Sequence, residues 1–308
     1  MVSEREGAPT TWAMEADGSG LRRLQGPPGA LFPAAADPLG THALAVSAVE
    51  LEDGSHAEQL WLIPLAGGES VALSPPAGKI RNPSWAADGS WLAFESDALS
   101  YRDLFRVQRD GTDRVRLTDA VHGSFEPDVS RRIAFGTSRD GNAEIYTMSA
   151  DGGDVRRLTD HASDDVHPRW SPDGEELAWI SLRTGRFQVF VSDGRGAPKA
   201  MREADPEAVD LDLAWSPDGE HVAVTVQTGP KDVHIEVVAR ATGAIVGVLD
   251  GPGPDEHPAW SPDGEWIAFS SSREGAPAIY LSTPQGQHTK RISEGTDWLV
   301  RWLPRHGA

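Results

Sequence analysis

A five-residue motif recurs at a fixed interval. Trp170-Ser171-Pro172-Asp173-Gly174, Trp215-Ser216-Pro217-Asp218-Gly219 and Trp260-Ser261-Pro262-Asp263-Gly264 lie 45 residues apart. Self-similarity at such a period marks one supersecondary unit copied along the chain. Weaker copies extend the series: Trp85-Ala86-Ala87-Asp88-Gly89 upstream, a shortened Glu126-Pro127-Asp128-Val129-Ser130 between, and Trp302-Leu303-Pro304 at the end. The first unit, Phe32-Pro33 through Asp37-Pro38-Leu39-Gly40, is the most degenerate. Within a unit, short strand-like segments such as Trp266-Ile267-Ala268-Phe269 and Ala278-Ile279-Tyr280-Leu281 are separated by hairpin residues. Pro presets φ, Asp bonds back to the backbone and Gly takes positive φ. The unit is therefore a four-stranded antiparallel meander, and radial stacking buries the faces that one such sheet leaves open.

The last unit stops after its first strand, at Trp298-Leu299-Val300-Arg301-Trp302-Leu303-Pro304. Its remaining strands are at the other end, where Ser3-Glu4-Arg5-Glu6-Gly7-Ala8-Pro9 matches Ser271-Ser272-Arg273-Glu274-Gly275-Ala276-Pro277. A blade shared between the two ends closes a ring and leaves no open sheet edge inside it. The expected fold is all-β, a seven-bladed β-propeller of four-stranded antiparallel blades with the last blade split. It forms one domain over 1–308, with blades at approximately 31–75, 81–119, 124–160, 166–203, 211–250, 256–294, and 297–308 with 1–25.

Composition narrows function by exclusion. With no cysteine there is no disulfide framework, thiolate metal site or Cys nucleophile. Twenty-eight basic against 47 acidic residues give a net charge of −19, which disfavours nucleic acid and anionic membrane and favours cations or basic partners. The N-terminal stretch carries no apolar signal-like run, so a cytoplasmic location is expected, and the closed propeller is expected to be a monomer. Gly-x-Ser-x-Gly, His-Glu-x-x-His, dinucleotide and phosphate-loop motifs are all missing from the sequence.

The tandem Trp-Ser-Pro-Asp-Gly units, with Ser138-Arg139-Asp140-Gly141-Asn142-Ala143-Glu144-Ile145-Tyr146 and Arg156-Arg157-Leu158-Thr159, resemble the TolB-like β-propeller repeat family, over essentially the whole chain. The resemblance implies the propeller fold, here with seven blades where TolB has six. It also implies one of three roles: a protein-binding propeller, a peptidase gating domain or a metal-dependent lyase. A weaker similarity joins the chain to oligogalacturonate lyase-type propellers, in which a metal sits at the channel mouth. Their ligands are mainly His with a Gln, so no catalytic residue carries over.

In a propeller the Ser-Pro-Asp-Gly turns lie on one face and the connections between blades on the other. Acid is dense in the latter: Asp119 and Glu126; Asp160, Asp164 and Asp165; Glu203, Asp205, Glu207, Asp210 and Asp212; Asp250, Asp255 and Glu256; Glu294 and Asp297. The position three before each Trp reads Phe32, Asn82, Glu126, His167, Asp212, His257 and Leu299. Five consecutive blades thus offer a polar side chain. Asn82, Glu126, His167, Asp212 and His257 are the candidate metal ligands, for Mn, Zn, Fe or Ca. The bland alternative is a solvated strand top. Arg5, Arg139, Arg183 and Arg273 recur after the second strand, either paired with acids of the adjacent blade or holding a substrate carboxylate. Arg139, Arg183, Arg273, Asp165 and Glu256 are the candidate ligand contacts. The leading expectation is a binding propeller whose acidic channel mouth recognises a cationic peptide or protein, or a metal-bound small ligand. The alternative is a divalent-metal-dependent lyase or hydrolase at the same mouth.

Overall fold

The repeated turn sets the geometry of each blade. The Ser171 hydroxyl donates to Asp173 Oδ1 at 2.6 Å, the Glu175 N–H donates to the same oxygen at 3.0 Å, and the Gly174 N–H closes on the Ser171 carbonyl at 2.8 Å. Gly174 sits at φ 69°, a conformation that costs glycine little and other residues more. Ser216 and Ser261 repeat the bond to Asp218 and Asp263 at 2.5 Å. These aspartates hold hairpins.

The computed structural model describes residues 1–4, 9–27, 31–99, 101–203 and 205–304. Over these residues the chain forms seven four-stranded antiparallel sheets arranged as the blades of a propeller, without helices. The inner strands are Leu31–Ala36, Ile80–Trp85, Ser124–Val129, Asp165–Trp170, Val209–Trp215, Asp255–Trp260 and Asp297–Trp298, taken as blades 1 to 7. Inner strands of neighbouring blades lie against one another around the axis from blade 1 to blade 6. In blade 7 Asp297–Trp298 pairs antiparallel with Val2–Ser3, which pairs in turn with Thr10–Ala13. The shared blade closes the ring. Residues 5–8, including Arg5, lie outside the described residues.

The core fills the gaps between blades. Three of the repeated Trp residues face the preceding sheet: Trp215 packs with Ala178, Ile180 and Val189, Trp260 with Ala223, Ile235 and Val237, and Trp302 with Ala268, Ile279 and Leu281. Their indole N–H groups reach the same sheet, donating to the carbonyls of Arg169, Ala214 and Ala259 at 3.1, 3.1 and 2.9 Å. One residue type thus supplies apolar area and a directional tie, which is why Trp suits the position.

Every inner strand of blades 1 to 6 contains a register shift that adds one residue, as between Val166 and Arg169 or Glu256 and Ala259. These are β-bulges, which bend the strand and re-aim one side chain. In blade 1 the turn N–H of Gly40 bonds to Asp37, as Gly174 bonds to Ser171, so Ala36 occupies the Trp position. That puts Pro33, one residue beyond the expected Phe32, at the ring position.

Candidate functional site

The bulge residue is the candidate ring residue. Asn82, Glu126, His167, His257 and Leu299 all adopt left-handed φ, between 49° and 57°. Each is the third residue of its strand or lies just past the short strand of blade 7, so the ring sits on the channel wall below the strand tops. Asp212 departs from the pattern: the shift in its strand falls between Asp210 and Asp212, and Leu213 follows where Pro83, Pro127, Pro168 and Pro258 follow Asn82, Glu126, His167 and His257.

Two adjacent pairs emerge from the ring. His167 N–H donates to Glu126 Oε2 at 2.8 Å and its Nε2 lies 3.4 Å from Glu126 Oε1, joining blades 4 and 3. His257 Nδ1 lies 3.7 Å from Asp212 Oδ2, joining blades 6 and 5. Burial pushes the Asp212 carboxyl up, but the His257 hydrogen bond and the Arg169 charge outweigh it and hold the group below the usual carboxylate range. Asn82 takes part through Glu95, whose Oε2 accepts from Asn82 Nδ2 at 3.3 Å and from the Glu126 N–H at 3.1 Å. Asn82 and Phe32 line a cleft of about 310 Å³ between blades 1 and 2.

Glu95 is the channel-wall residue that the repeat alignment missed. It is fully buried, with Arg102 Nη1 at 3.3 Å and Arg81 Nη1 at 3.9 Å from its Oε1. The signal was present, because Glu95 stands in an apolar strand at the register that holds Gly136, Ile180 and Ser270 in blades 3, 4 and 6.

The ring does not gather as one coordination set. Among the described residues, no group of three or more His, Asp and Glu side chains is placed to hold a metal ion. Glu126 and Asp212 each serve one neighbouring histidine instead, so the wall residues fit hydrogen-bonding partners better than a divalent cation.

The candidate ligand contacts are used internally. Arg183 Nη2 binds buried Asp165 Oδ2 at 2.8 Å, and Arg273 Nη2 binds buried Asp255 Oδ2 at 2.9 Å. Each pair lies within one blade, not between adjacent blades. Both guanidinium groups also stack on aromatic rings, Arg183 over Phe190 at 4.7 Å and Arg273 over Tyr280 at 4.8 Å. Asp165 is closed to a ligand because it lies beneath Arg183 with no exposed surface. Arg139 stacks over Tyr146 at 4.9 Å, and Ser124 occupies the position that Asp165 and Asp255 hold in their blades, so no carboxylate answers it there. Glu256 is half-buried, and its carbonyl accepts from the Ser270 hydroxyl at 3.2 Å.

The acidic rim is thinner than its sequence suggests. Asp165, Asp210, Asp255 and Asp297 are buried at the starts of inner strands. Asp210 ties blades 4 and 5, accepting from the Val189 N–H at 2.8 Å and pairing with Arg202 at 2.6 Å. Burial pushes the Asp210 carboxyl up, against the pull of that arginine.

The sequence model of the TolB beta propeller domain matches residues 118–204 and 207–305, more than half of the chain. The chain belongs to the TolB β-propeller family. A TolB homolog of Chlorobium luteolum is 28% identical over 138 residues, 44% of this chain and 31% of that protein. The crystal structure of TolB from Acinetobacter baumannii superposes with a TM-score of 0.62 at 20% identity, covering 82% of this chain and 63% of that one. An oligogalacturonate lyase solved in complex with manganese gives a TM-score of 0.59 at 16% identity, covering 89% and 96%. Likeness at these structural identities concerns the fold. The chain spans less than half the length of the curated relatives it matches. TolB homologues are periplasmic Tol-Pal proteins, which overturns the cytoplasmic expectation. That expectation rested on the N-terminal residues, and those carry no information about a longer TolB-type chain.

Proposed function

We propose that the protein is a binding propeller that receives a basic segment of a partner protein or peptide at the channel wall. One observation carries the reading: four polar residues, Asn82, Glu126, His167 and His257, occupy left-handed bulges at one position of four blades. Glycine would take this conformation without strain, whereas a side chain there costs about 1 kcal/mol or more. Retaining the side chains at that cost makes sense where they are used. Glu126 and Asp212 supply the negative charge, and the net charge of −19 steers a basic ligand towards the protein from a distance. Kinship supports the reading, since TolB homologues act with proteins of the Tol-Pal system. A metal-dependent lyase or hydrolase is not favoured, because the donors come as separate pairs.

The test is fluorescence anisotropy with a labelled, lysine-rich extended decapeptide at about 50 and about 300 mM salt, between which screening strengthens markedly. Affinity should fall with salt and drop at least tenfold in a Glu126→Gln, Asp212→Asn double variant. Glu175→Gln, on the Ser-Pro-Asp-Gly face, should bind as wild type. Binding that ignores salt and the double variant would place the ligand elsewhere.

A further inference from the structure

Two residues after the ring position, the inner strands carry a second set of side chains. At the position before the Trp, blades 2 to 7 present Ser84, Asp128, Arg169, Ala214, Ala259 and Arg301. Two of these are arginines, on blades 4 and 7, which are nearly opposite in a ring of seven. At about 3.3 Å per residue they lie about 6 Å further along the channel than the ring.

Both arginines are held the same way. Arg169 Nη1 donates to the Pro168 carbonyl at 2.8 Å, and Arg301 Nη1 donates to the Val300 carbonyl at 2.9 Å. Among the described residues, neither has a carboxylate within ion-pair distance, unlike Arg109, Arg183, Arg202 and Arg273. Nε and Nη2, the edge that grips a carboxylate in two parallel hydrogen bonds, make no hydrogen bond to the described residues.

The nearby acids are occupied. Asp128 Oδ2 accepts from the Trp170 N–H at 2.8 Å, and its Oδ1 accepts from the Ser84 hydroxyl at 3.3 Å. Asp212 Oδ1 accepts from the Leu213 N–H at 2.8 Å, and its other oxygen faces His257. The two guanidinium groups are within electrostatic reach of each other and of Asp212. Desolvation by the surrounding channel wall pulls the Arg301 guanidinium below its ordinary range although the residue keeps exposed surface, Asp212 opposes this, and the like charge of Arg169 adds to it. An anion between the two would relieve that repulsion.

We propose that Arg169 and Arg301 form a carboxylate-binding site inside the channel. It rests on the reading of the channel as a ligand site but uses different residues. A ligand that fills both layers carries its carboxylate at the arginines and positive charge at Glu126 and Asp212. The carboxylate has two sources, a small free acid or the C-terminus of a peptide.

Isothermal titration of the full chain at low ionic strength distinguishes them, with succinate, tri-alanine and tri-alanine amide as probes. The amide lacks the charged terminus and should not bind. Tri-alanine binding alone assigns the site to a chain terminus, succinate binding alone assigns it to a free acid, and binding of both assigns it to any carboxylate. In each case Arg169→Gln and Arg301→Gln should weaken binding at least tenfold. Glu175→Gln, on the Ser-Pro-Asp-Gly face, should leave it within twofold, and because succinate carries no positive charge its binding does not depend on the basic-segment reading. The Arg169→Gln fold is checked by the Trp near-ultraviolet signal, because Trp215 bonds to the Arg169 backbone and not to its side chain. Failure of succinate and tri-alanine to bind wild type, or binding retained in both arginine variants, overturns the site.

Discussion

At the scale of single residues, buried Asp37 and Asp210 are joints between blades. Asp37 takes the place of Ser in the degenerate first turn, and its oxygens accept from the N–H groups of Leu39, Thr41 and His42 at 2.8 to 3.1 Å. Arg109 of blade 2 closes on it in bidentate fashion at 2.7 and 2.8 Å and lies 5.2 Å above the Trp85 ring. Burial pushes the Asp37 carboxyl up, but Arg109 and the backbone donors hold it far below the usual range. Because the folded value is depressed, this stability is complete above the unfolded value of about 3.9 and is lost as pH falls through the folded value. Asp37→Asn strands a partly buried guanidinium and should cost about 3 kcal/mol near neutral pH. In urea titrations the gap to wild type should narrow as pH drops from about 5 towards 2. A gap that stays constant over that range would show that charge is not what joins the two blades. The substitution of Asp for Ser is visible in the sequence, but its partner is not, since hydrophobic patterning carries no information about which arginine, 72 positions away, will meet it.

At the scale of elements, the blades and their hairpins were legible because turn chemistry repeats where side-chain identity does not. The ring of candidate residues was legible as an alignment column, but its meaning changed. The proline after Asn82, Glu126, His167 and His257 was the sign of a bulge, and the bulge moves these side chains from the strand top to the wall. The sequence offered Arg183 an acid of the adjacent blade as its partner, whereas the partner is Asp165 of its own blade, which it covers. The outer strands were scarcely legible at all, since most are two residues long. Arg22–Arg23, Arg156–Arg157 and Lys290–Arg291 show how such an edge is kept soluble, by charge and brevity. Ile245–Leu249 of blade 5 has neither protection: it is five residues long and uncharged, with Ile245, Val246 and Val248 exposed by 49%, 40% and 45%. Gly247 fits because it has no Cβ, which would lie 2.0 Å from the Pro284 carbonyl oxygen. This edge is the expected start of self-association on heating or concentration. Val246→Lys should raise the onset of light scattering while moving stability by no more than about 0.5 kcal/mol, the usual range for a surface change. An unchanged onset would acquit the strand.

At the scale of the whole molecule, the ring is held by contacts between neighbours, so the weakest junction governs cooperativity. That junction is blade 7, where Asp297–Trp298 meets Val2–Ser3 through two residue pairs, Val2 with Trp298 and Ser3 with Asp297. Reinforcement comes from Trp302, which packs on Ala268, Ile279 and Leu281 of blade 6 and donates to the Ala259 carbonyl. Removing residues 296–308 leaves Val2–Ser3 as an open inner edge and uncovers the blade 6 face that Trp302 protects. The shortened chain should unfold in a broader transition with a smaller urea dependence, and it should form higher oligomers in light scattering coupled to size-exclusion chromatography. Trp302→Ala isolates the packing from the pairing. It keeps Asp297–Trp298 in place and should cost about 3 kcal/mol while leaving the transition cooperative and the oligomeric state of wild type unchanged. If the deletion behaves like Trp302→Ala, strand closure contributes nothing beyond the indole. If it opens the ring, the two residue pairs of blade 7 are what couple the first sheet to the last.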